Sequence, residues 1–183
     1  MGYYFIRVNG ETCHNNSEKS ECYIAGEPKE PFFSYQEYCI KNNIVRIGWP
    51  ATGDLLSKNY NHGLEECYTL EDLDQHIKEY LLSFKNIKVN DIIIMPHKEK
   101  KNTVYIGQVN KTYHYFYQLP KHPYECSHRL GVHWDLSSNN TPACYDISKL
   151  GIVNQGGYWI KAFSRIASDK IIKKIDDNRR IKT

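Results

Sequence analysis

The sequence predicts a single α+β domain with a curved, partly closed, barrel-like sheet of six or seven strands and helices packed outside. Short β-branched and aromatic runs alternate with polar turns through the middle of the chain. A strong helical pattern occurs only once, over residues 69–84. The 183 residues contain no internal repeat and no low-complexity segment. Many strands with few helices favour a strongly curved sheet in one domain.

The first third of the chain predicts two strands separated by polar sequence. Residues 3–8 (YYFIRV) form the first predicted strand, and residues 9–31 are a long polar loop. Residues 32–41 predict a helical turn that leads into a second strand at 44–48. Residues 58–66 are again polar and predict a loop.

The clearest predicted helix covers residues 69–84. Its apolar face consists of Leu70, Leu73, Ile77, Tyr80, Leu81 and Phe84. Thr69 is a suitable N-cap, and Glu71 and Asp72 favour the first turn through the helix dipole. His76 lies beside the apolar face and is interpreted as a partly exposed residue.

The centre of the chain predicts an antiparallel hairpin. Asn90 and Asp91 form a turn before a buried strand at 92–95, and a charged loop at 98–102 leads to a returning strand at 103–109. Residues 113–118 (YHYFYQ) predict a separate extended segment.

The last third predicts two more strands and a helix. The strands cover residues 130–135 and 158–166, with a loop between them at 136–157. Residues 168–177 predict a helix with Ser168 as its N-cap. We therefore expect one domain over residues 1–166, followed at 167–183 by a basic helix or linker.

Charge and cysteine content narrow the function classes. The net charge is only +3, and residues 168–183 carry six Lys and Arg against three Asp. This tail could contact phosphates, form a solvated helix face, or link to a further domain. The linker is the preferred interpretation. The six cysteines contain no CxxC pair, and the N-terminus has no signal-peptide pattern. We expect reduced cysteines, a cytoplasmic location and no membrane partner.

The stretch IVRIGWPATGDLL at residues 44–56 is the first candidate binding element. A strand ends here at Trp49, and the turn that follows contains Asp54. The face of a tryptophan can stack on a flat base, and a carboxylate can bind the edge of that base. The alternative is that Trp49 anchors the core and Asp54 caps a turn.

Alternating tyrosines form the second candidate. Tyr113, Tyr115 and Tyr117 share one face of an extended segment and could wall a groove, while His114 and Phe116 face the other way and could enter the core. The alternative is a cross-strand aromatic ladder that only stabilises the sheet. Trp134 is interpreted as a core residue.

Basic residues outside the tail are candidates for phosphate contacts. They are Lys98, Lys100, Lys101, Lys111 and Arg129. Phosphate contacts require charge more than fixed geometry, so a flexible hairpin tip is suitable. The alternative is ordinary solvation.

Catalytic signatures are absent from the sequence. It contains no GxSxG, P-loop, GxGxxG or HExxH motif. A metal nuclease using Asp91, Glu99 and Lys101 is disfavoured because a strand separates Asp91 from Glu99. A metal site around Cys126, His122 and His128 has irregular spacing. We therefore predict no catalytic residues, no metal and no cofactor.

The ordered segments resemble the EVE and YTH-like branch of the PUA-like superfamily. More closely, they resemble the N-terminal specificity domains of McrB-type modification-dependent restriction systems. The elements that carry the resemblance, over about residues 3–166, are Gly48-Trp49, Asp54-Leu55, Asn90-Asp91, Ile106-Gly107-Gln108-Val109, Tyr113 with Tyr115, and Val132 with Trp134. Asn90 replaces the usual glycine and Gln108 the usual acidic residue.

The resemblance implies a small barrel that binds nucleic acid, expected to be double-stranded DNA, and holds one flipped, modified base in an aromatic cage. Trp49 matches the first cage aromatic, and the second wall would come from Tyr113, Tyr115, Tyr117 or Tyr124. Asp54 would bind the base edge. Cutting would belong to fused or associated motor and nuclease subunits. An RNA reader of the same fold and a protein-interaction domain are the alternatives.

Overall fold

The structure, a computed structural model, describes residues 1–8, 35–47, 55–56, 73–97, 99–116, 127–152 and 163–182. These residues form seven strands and four helices. The strands are β1 (Tyr3–Ile6), β2 (Ile44–Ile47), β3 (Ile92–Pro96), β4 (Thr103–Phe116), β5 (Ser127–Trp134), β6 (Cys144–Asp146) and β7 (Phe163–Arg165). The helices are α1 (Tyr35–Lys41), α2 (Gln75–Lys85), α3 (Ile147–Leu150) and α4 (Asp169–Lys182).

All seven strands belong to one sheet, so the α+β class is confirmed. The order is β2-β5-β4-β3-β1-β7, and β6 pairs with β4. Only β1 and β3 run parallel, whereas the other pairs are antiparallel. Within the described ranges, no pairing joins β2 to β7, so the sheet is open.

The strand β4 is longer than the sequence indicates. The predicted strand at 103–109 and the predicted segment at 113–118 are one continuous strand as far as Phe116. The polar residues Asn110 to Thr112 keep their place in the sheet because the β4–β5 register shifts twice, between Val109 and Lys111 and between Lys111 and His114. Such irregularities let a long strand bend without leaving the sheet.

One glycine explains how β4 and β5 approach each other. Gly107 lies directly opposite Trp134. A Cβ atom at residue 107 would lie 2.5 Å from Cγ1 of Val132 and 2.9 Å from Cε3 of Trp134. The close approach therefore requires glycine here. Trp134 is buried, as predicted, and its indole N–H donates to the Cys39 carbonyl at 3.4 Å.

The sheet has a hydrophobic core on each face. Alternate residues of β1 and β3 supply the two cores, as the period-two rule requires. The first core receives Ile6, Ile93 and Met95, together with residues of α1 and α2. The second core receives Phe5, Ile92 and Ile94, together with residues of α3 and α4.

The predicted apolar helix face is confirmed for its described members, whereas Leu70 lies outside the described residues and the predicted helix start is wrong. Leu73, Ile77, Tyr80, Leu81 and Phe84 all pack in the first core, and His76 is exposed. The helix begins at Gln75 rather than near Thr69, since the Asp74 carbonyl accepts the first helical hydrogen bonds. Leu73 reaches the core from the residue before the cap, so apolar spacing alone does not locate the helix start.

The predicted loop at 136–157 was partly wrong. It contains β6 and α3. Asp146 is the N-cap of α3, and its side chain accepts from Ser148 N–H at 2.8 Å. Polar composition concealed these elements because their apolar contacts come from only a few residues, Tyr145, Ile147 and Leu150.

The C-terminal segment is a helix docked on the second core. Ile175 is fully buried. Arg179 forms a bidentate pair with Asp135, both N–O distances being 2.8 Å, and Asp176 accepts from the Tyr3 hydroxyl. The helix is therefore part of the fold over Asp169–Lys182. Among the described helices, none is both long and apolar enough to cross a membrane.

Candidate nucleic-acid interface

A buried tyrosine–histidine pair lies where β4 and β5 run together. The rings of Tyr113 and His128 are stacked, with centroids 5.8 Å apart and planes at 27°. The Tyr113 hydroxyl lies 2.9 Å from Nδ1 of His128. His128 is 0% exposed and Tyr113 is 5% exposed. The hydrogen bond therefore satisfies polar groups that water does not reach.

The backbone of Leu55 is attached to this pair. Its N–H donates to the Tyr113 hydroxyl at 3.0 Å, and its carbonyl accepts from Nζ of Lys85 at 2.9 Å. Since the hydroxyl oxygen accepts from Leu55, its own proton is available to Nδ1 of His128. The tautomer of the imidazole sets which of the two groups donates in this bond.

The strand β2 reaches the same pair from the other side. Ile47, the last residue of β2, lies directly opposite His128. The residues on either side of segment 48–54 are therefore held at one buried group, Ile47 by strand pairing and Leu55 through Tyr113. Trp49 and Asp54 belong to that segment and lie outside the described residues.

Two rows of side chains cross β2, β5 and β4 at this point. The aromatic row consists of Ile47, His128 and Tyr115, and the basic row consists of Arg46, Arg129 and His114. Within each row the residues are directly opposite one another across the strands. Directly opposed residues share a face of the sheet, and adjacent residues of a strand point to opposite faces. The two rows therefore lie back to back.

The aromatic row faces the first core. Tyr113 and Tyr115 both contact the His128 ring, with the Tyr115 centroid 5.4 Å away, and both pack against that core. Their predicted common face is confirmed. The tyrosine face enters the core, contrary to the expectation that the face of His114 would do so. Tyr115 remains half-buried, whereas Tyr113 is enclosed.

The basic row brings cations together. Arg129 is 5% exposed, and its guanidinium lies 5.5 Å above the Tyr38 ring. Burial lowers the pKa of Arg129, the charge and hydrogen bond of Tyr38 partly oppose this, and the charge of Arg46 lowers it further. Burial likewise lowers the pKa of His114, with additional lowering from Lys111 and Arg129.

The predicted phosphate-contact residues occupy three different environments. Lys100 and Lys101 are exposed in the β3–β4 hairpin tip, and Lys111 is exposed in β4. Arg129 is buried, so its charge acts from beneath the surface. Lys98 and Tyr117, like Trp49 and Asp54, lie outside the described residues.

The hairpin tip is organised by His97, which the sequence analysis did not single out. Its Nδ1 accepts from the backbone N–H groups of Glu99 and Lys100, at 3.1 and 3.2 Å. Its ring stacks on Tyr105 with centroids 5.0 Å apart. Burial and then the charge of Lys100 lower the pKa of His97, which favours the neutral ring that can accept these bonds.

The residues considered for a nuclease have other partners or positions. Asp91 is buried and accepts from the backbone N–H groups of Gly2 and Lys88. Glu99 is exposed beyond the other end of β3. Among the described residues, no three His, Cys, Asp or Glu side chains are placed to hold a metal ion. Cys126 and His122 lie outside these residues, and His128 bonds to Tyr113.

Sequence reasoning missed Arg46, His114 and the anchoring of Leu55. One signal was available, since β2, β4 and β5 contain no Asp or Glu, while they carry Arg46, Lys111 and Arg129. This imbalance becomes visible only once the three strands are known to be neighbours.

Comparison with known proteins gives a family but no activity. A search of the curated proteins finds no match. A family model described as Domain of unknown function (DUF8426) matches residues 30–152, about two thirds of the chain. The matched region includes both rows and the Tyr113–His128 pair, and it leaves out β1, β7 and α4. The chain belongs to the DUF8426 family.

Proposed function

We propose that this domain is a non-catalytic specificity module that reads a flipped, modified base of double-stranded DNA. In this proposal it is an EVE/YTH-like member of the PUA-like superfamily. It works in the cytoplasm and targets a modification-dependent restriction or defence complex of the McrB type. Motor and nuclease activities belong to fused or associated subunits, and the domain itself needs no cofactor.

The anchoring of segment 48–54 carries the proposal. Ile47 pairs with His128, and Leu55 bonds to the Tyr113 hydroxyl, which bonds to His128 in turn. The segment with the candidate stacking residue Trp49 and the candidate edge-binding residue Asp54 thus starts and finishes at one rigid group. Sites built on rigid elements hold their geometry better than free loops do.

Tyr115 is the described residue best suited to face Trp49 across a base. It is half-buried, contacts His128, and lies directly opposite it. Tyr113 supports the site instead, because its hydroxyl is already engaged by Leu55 and His128.

The energetics of such a cage are consistent with a small domain. Stacking on an aromatic side chain contributes about 1–3 kcal/mol per base. A buried methyl group adds about 0.8 kcal/mol, and flipping costs a few kcal/mol. Discrimination therefore depends on a close-fitting cage and a polar group at the base edge, which are the roles proposed for Trp49, Tyr115 and Asp54.

The proposal also includes the curvature of the sheet. A bent, 14-residue β4 that pairs with β3, β5 and β6 is the kind of strand that a PUA-like barrel uses to turn from one side to the other. The ordered hairpin tip with Lys100 and Lys101, together with Lys98 and Lys111, would contact the DNA backbone.

The test is a binding titration with matched duplexes that are unmodified, adenine-methylated or cytosine-methylated, at one fixed salt concentration. We expect the wild-type protein to prefer one modified duplex by at least tenfold. Replacing Trp49 or Tyr115 (Trp49→Ala, Tyr115→Leu) should abolish the preference while the thermal unfolding transition remains cooperative.

Tyr105→Leu is the matched control for Tyr115→Leu. Both tyrosines lie on β4, are half-buried and pack against the first core. The control should keep the preference. Equal binding of all three duplexes by the wild-type protein would contradict the proposal and favour an interaction domain. Tighter binding to single-stranded RNA, weakened by loss of the 2′-hydroxyl, would instead indicate an RNA reader.

A further inference from the structure

Leu55 is held more firmly than a turn residue normally is. It lies outside the strands and helices, yet its side chain is 5% exposed and packs in the first core. Its N–H donates to the Tyr113 hydroxyl at 3.0 Å, and its carbonyl accepts from Nζ of Lys85 at 2.9 Å. Both of its backbone polar groups are therefore bound by side chains of other elements, β4 and α2.

Lys85 is the last residue of α2, and its ammonium binds away from its own helix. A lysine in the last turn commonly bonds to the final carbonyls of the helix that carries it. Here Asn86 takes that role, since its backbone N–H donates to the carbonyls of Leu82 and Ser83 at 3.2 and 3.3 Å. The Lys85 ammonium instead reaches the Leu55 carbonyl, 30 positions away in the sequence.

The contact between Lys85 and Leu55 is strong and specific to residue 85. A hydrogen bond from an ionised donor is roughly twice as strong as one between neutral groups. Lys85 is half-buried, so water competes less for its ammonium. Lys78 lies seven residues earlier on the same face of α2 and is also half-buried, but among the described residues its ammonium has no such partner. The link to Leu55 is therefore not a general property of lysines on this helix.

We propose that Lys85 is a positioning residue for the base-reading segment 48–54 and acts through the carbonyl of Leu55. Asp54 is covalently joined to Leu55, and each peptide unit is planar. The two peptide planes held by Tyr113 and Lys85 thus determine the direction in which the chain leaves Leu55 toward Asp54. Supporting interactions of this kind hold a site close to its productive geometry without contacting the ligand. This inference rests on the proposed function.

The experiment measures the ratio of the affinities for the modified and the unmodified duplex in the wild type and in Lys85→Met. Methionine keeps the unbranched side chain and the helix propensity of lysine but cannot donate to Leu55. We expect Lys85→Met to lose most of the wild-type preference, because binding to the modified duplex weakens whereas binding to the unmodified duplex changes little. Lys85→Arg keeps a charged donor and should retain the preference.

Amide hydrogen exchange at Leu55, followed by NMR, tests whether Lys85 acts through that residue. Exchange of the Leu55 N–H should be faster in Lys85→Met than in the wild type. Lys78→Met is the matched control, because it removes the same charge from the same face of α2, and it should keep both the preference and the slow exchange. Loss of the preference in Lys85→Met without faster exchange at Leu55 would overturn the inference. An equal loss of preference in Lys78→Met would do the same, because it would show an effect of net charge alone.

The two proposals fail in different samples. Equal affinities of the wild-type protein for the duplexes contradict base reading, and the positioning role of Lys85 then fails with it. A wild-type preference that Lys85→Met retains contradicts the positioning role alone. Weaker binding of Lys85→Met to both duplexes by the same factor also contradicts that role, because it is the result expected of a phosphate contact, which carries no sequence information.

Discussion

The aromatic row and the basic row cross the same three strands one residue apart, and they are stabilised in opposite ways. In the aromatic row, Ile47 and Tyr115 pack in the first core, and His128 has its Nδ1 bonded to Tyr113. In the basic row, Arg129 is buried between Arg46 and His114 with its guanidinium over the Tyr38 ring, and burial lowers its pKa. One row packs apolar and aromatic groups in a core, whereas the other places basic groups opposite one another.

The difference shows how adjacent residues of one strand meet different surroundings. Alternate residues of a strand point to opposite faces, so His128 bonds inside the core while the next residue, Arg129, packs on the Tyr38 ring. A buried pair such as Tyr113 and His128 makes the strands rigid.

The largest loss of stability is expected from a substitution on the face of the sheet that packs in the first core. Leu130 is fully buried in the first core, whereas its neighbours in β5, Arg129 and Gly131, lie on the opposite face of the sheet. Leu130→Ala should lower the free energy of unfolding by about 2–5 kcal/mol, because it removes buried methyl groups and leaves a cavity. Urea denaturation provides the measurement. His133→Ala, on the exposed face of β5, is the control and should change stability by less than about 0.5 kcal/mol. Equal losses in the two variants would mean that the faces do not differ.

The next effect tests the polar part of the core face. Tyr113→Phe should lower the free energy of unfolding by about 1–3 kcal/mol, since it leaves Leu55 N–H and Nδ1 of His128 without their partner. The double variant Tyr113→Phe with His128→Leu should cost less than the sum of the two single changes. Strict additivity in this double-mutant cycle would show that the pair does not act as a unit.

A smaller effect, in the other direction, is expected on the opposite face. Arg46→Gln should leave the free energy of unfolding unchanged or raise it by up to about 1 kcal/mol, because it removes a like-charge cross-strand pair. A clear loss of stability would mean that Arg46 supports the fold, and the contrast between the rows would then disappear.

The smallest effect concerns the hairpin tip and pH. The pKa of His97 is lowered by burial and by Lys100, so the folded state favours the neutral ring. Its contribution to stability is therefore present above the unfolded pKa of about 6.5 and is lost as the pH falls below that value, through the lower folded pKa. We expect the amide protection factors of Glu99 and Lys100 to decrease between pH 7 and pH 5 in NMR exchange experiments.

His97→Asn is the control for this pH effect. It keeps a side-chain acceptor but does not titrate, so its protection factors should not depend on pH over the same interval. Protection factors that stay constant with pH in the wild type would show that His97 does not control the order of the tip.

Local pattern predicted most of the elements. The aromatic and apolar run Tyr3–Ile6, the run Ile92–Pro96 and the spacing of Ile77, Leu81 and Phe84 each depend on residues close together in sequence. The failures occurred where distant residues decide. The start of α2, the continuity of β4 through Asn110, and β6 all depend on neighbours that local spacing does not reveal.

The predictions about the candidate site also divide into those that depend on local sequence and those that depend on distant residues. The sequence alone indicated that Tyr113 and Tyr115 share a face and that Lys100, Lys101 and Lys111 are available cations, because strand period and charge are local properties. The tertiary structure decided that Tyr113 bonds to His128 and Leu55, and that Arg46, Arg129 and His114 form one row. These contacts join residues that are from 15 to 83 positions apart, so they follow from strand order and register, which no local pattern contains.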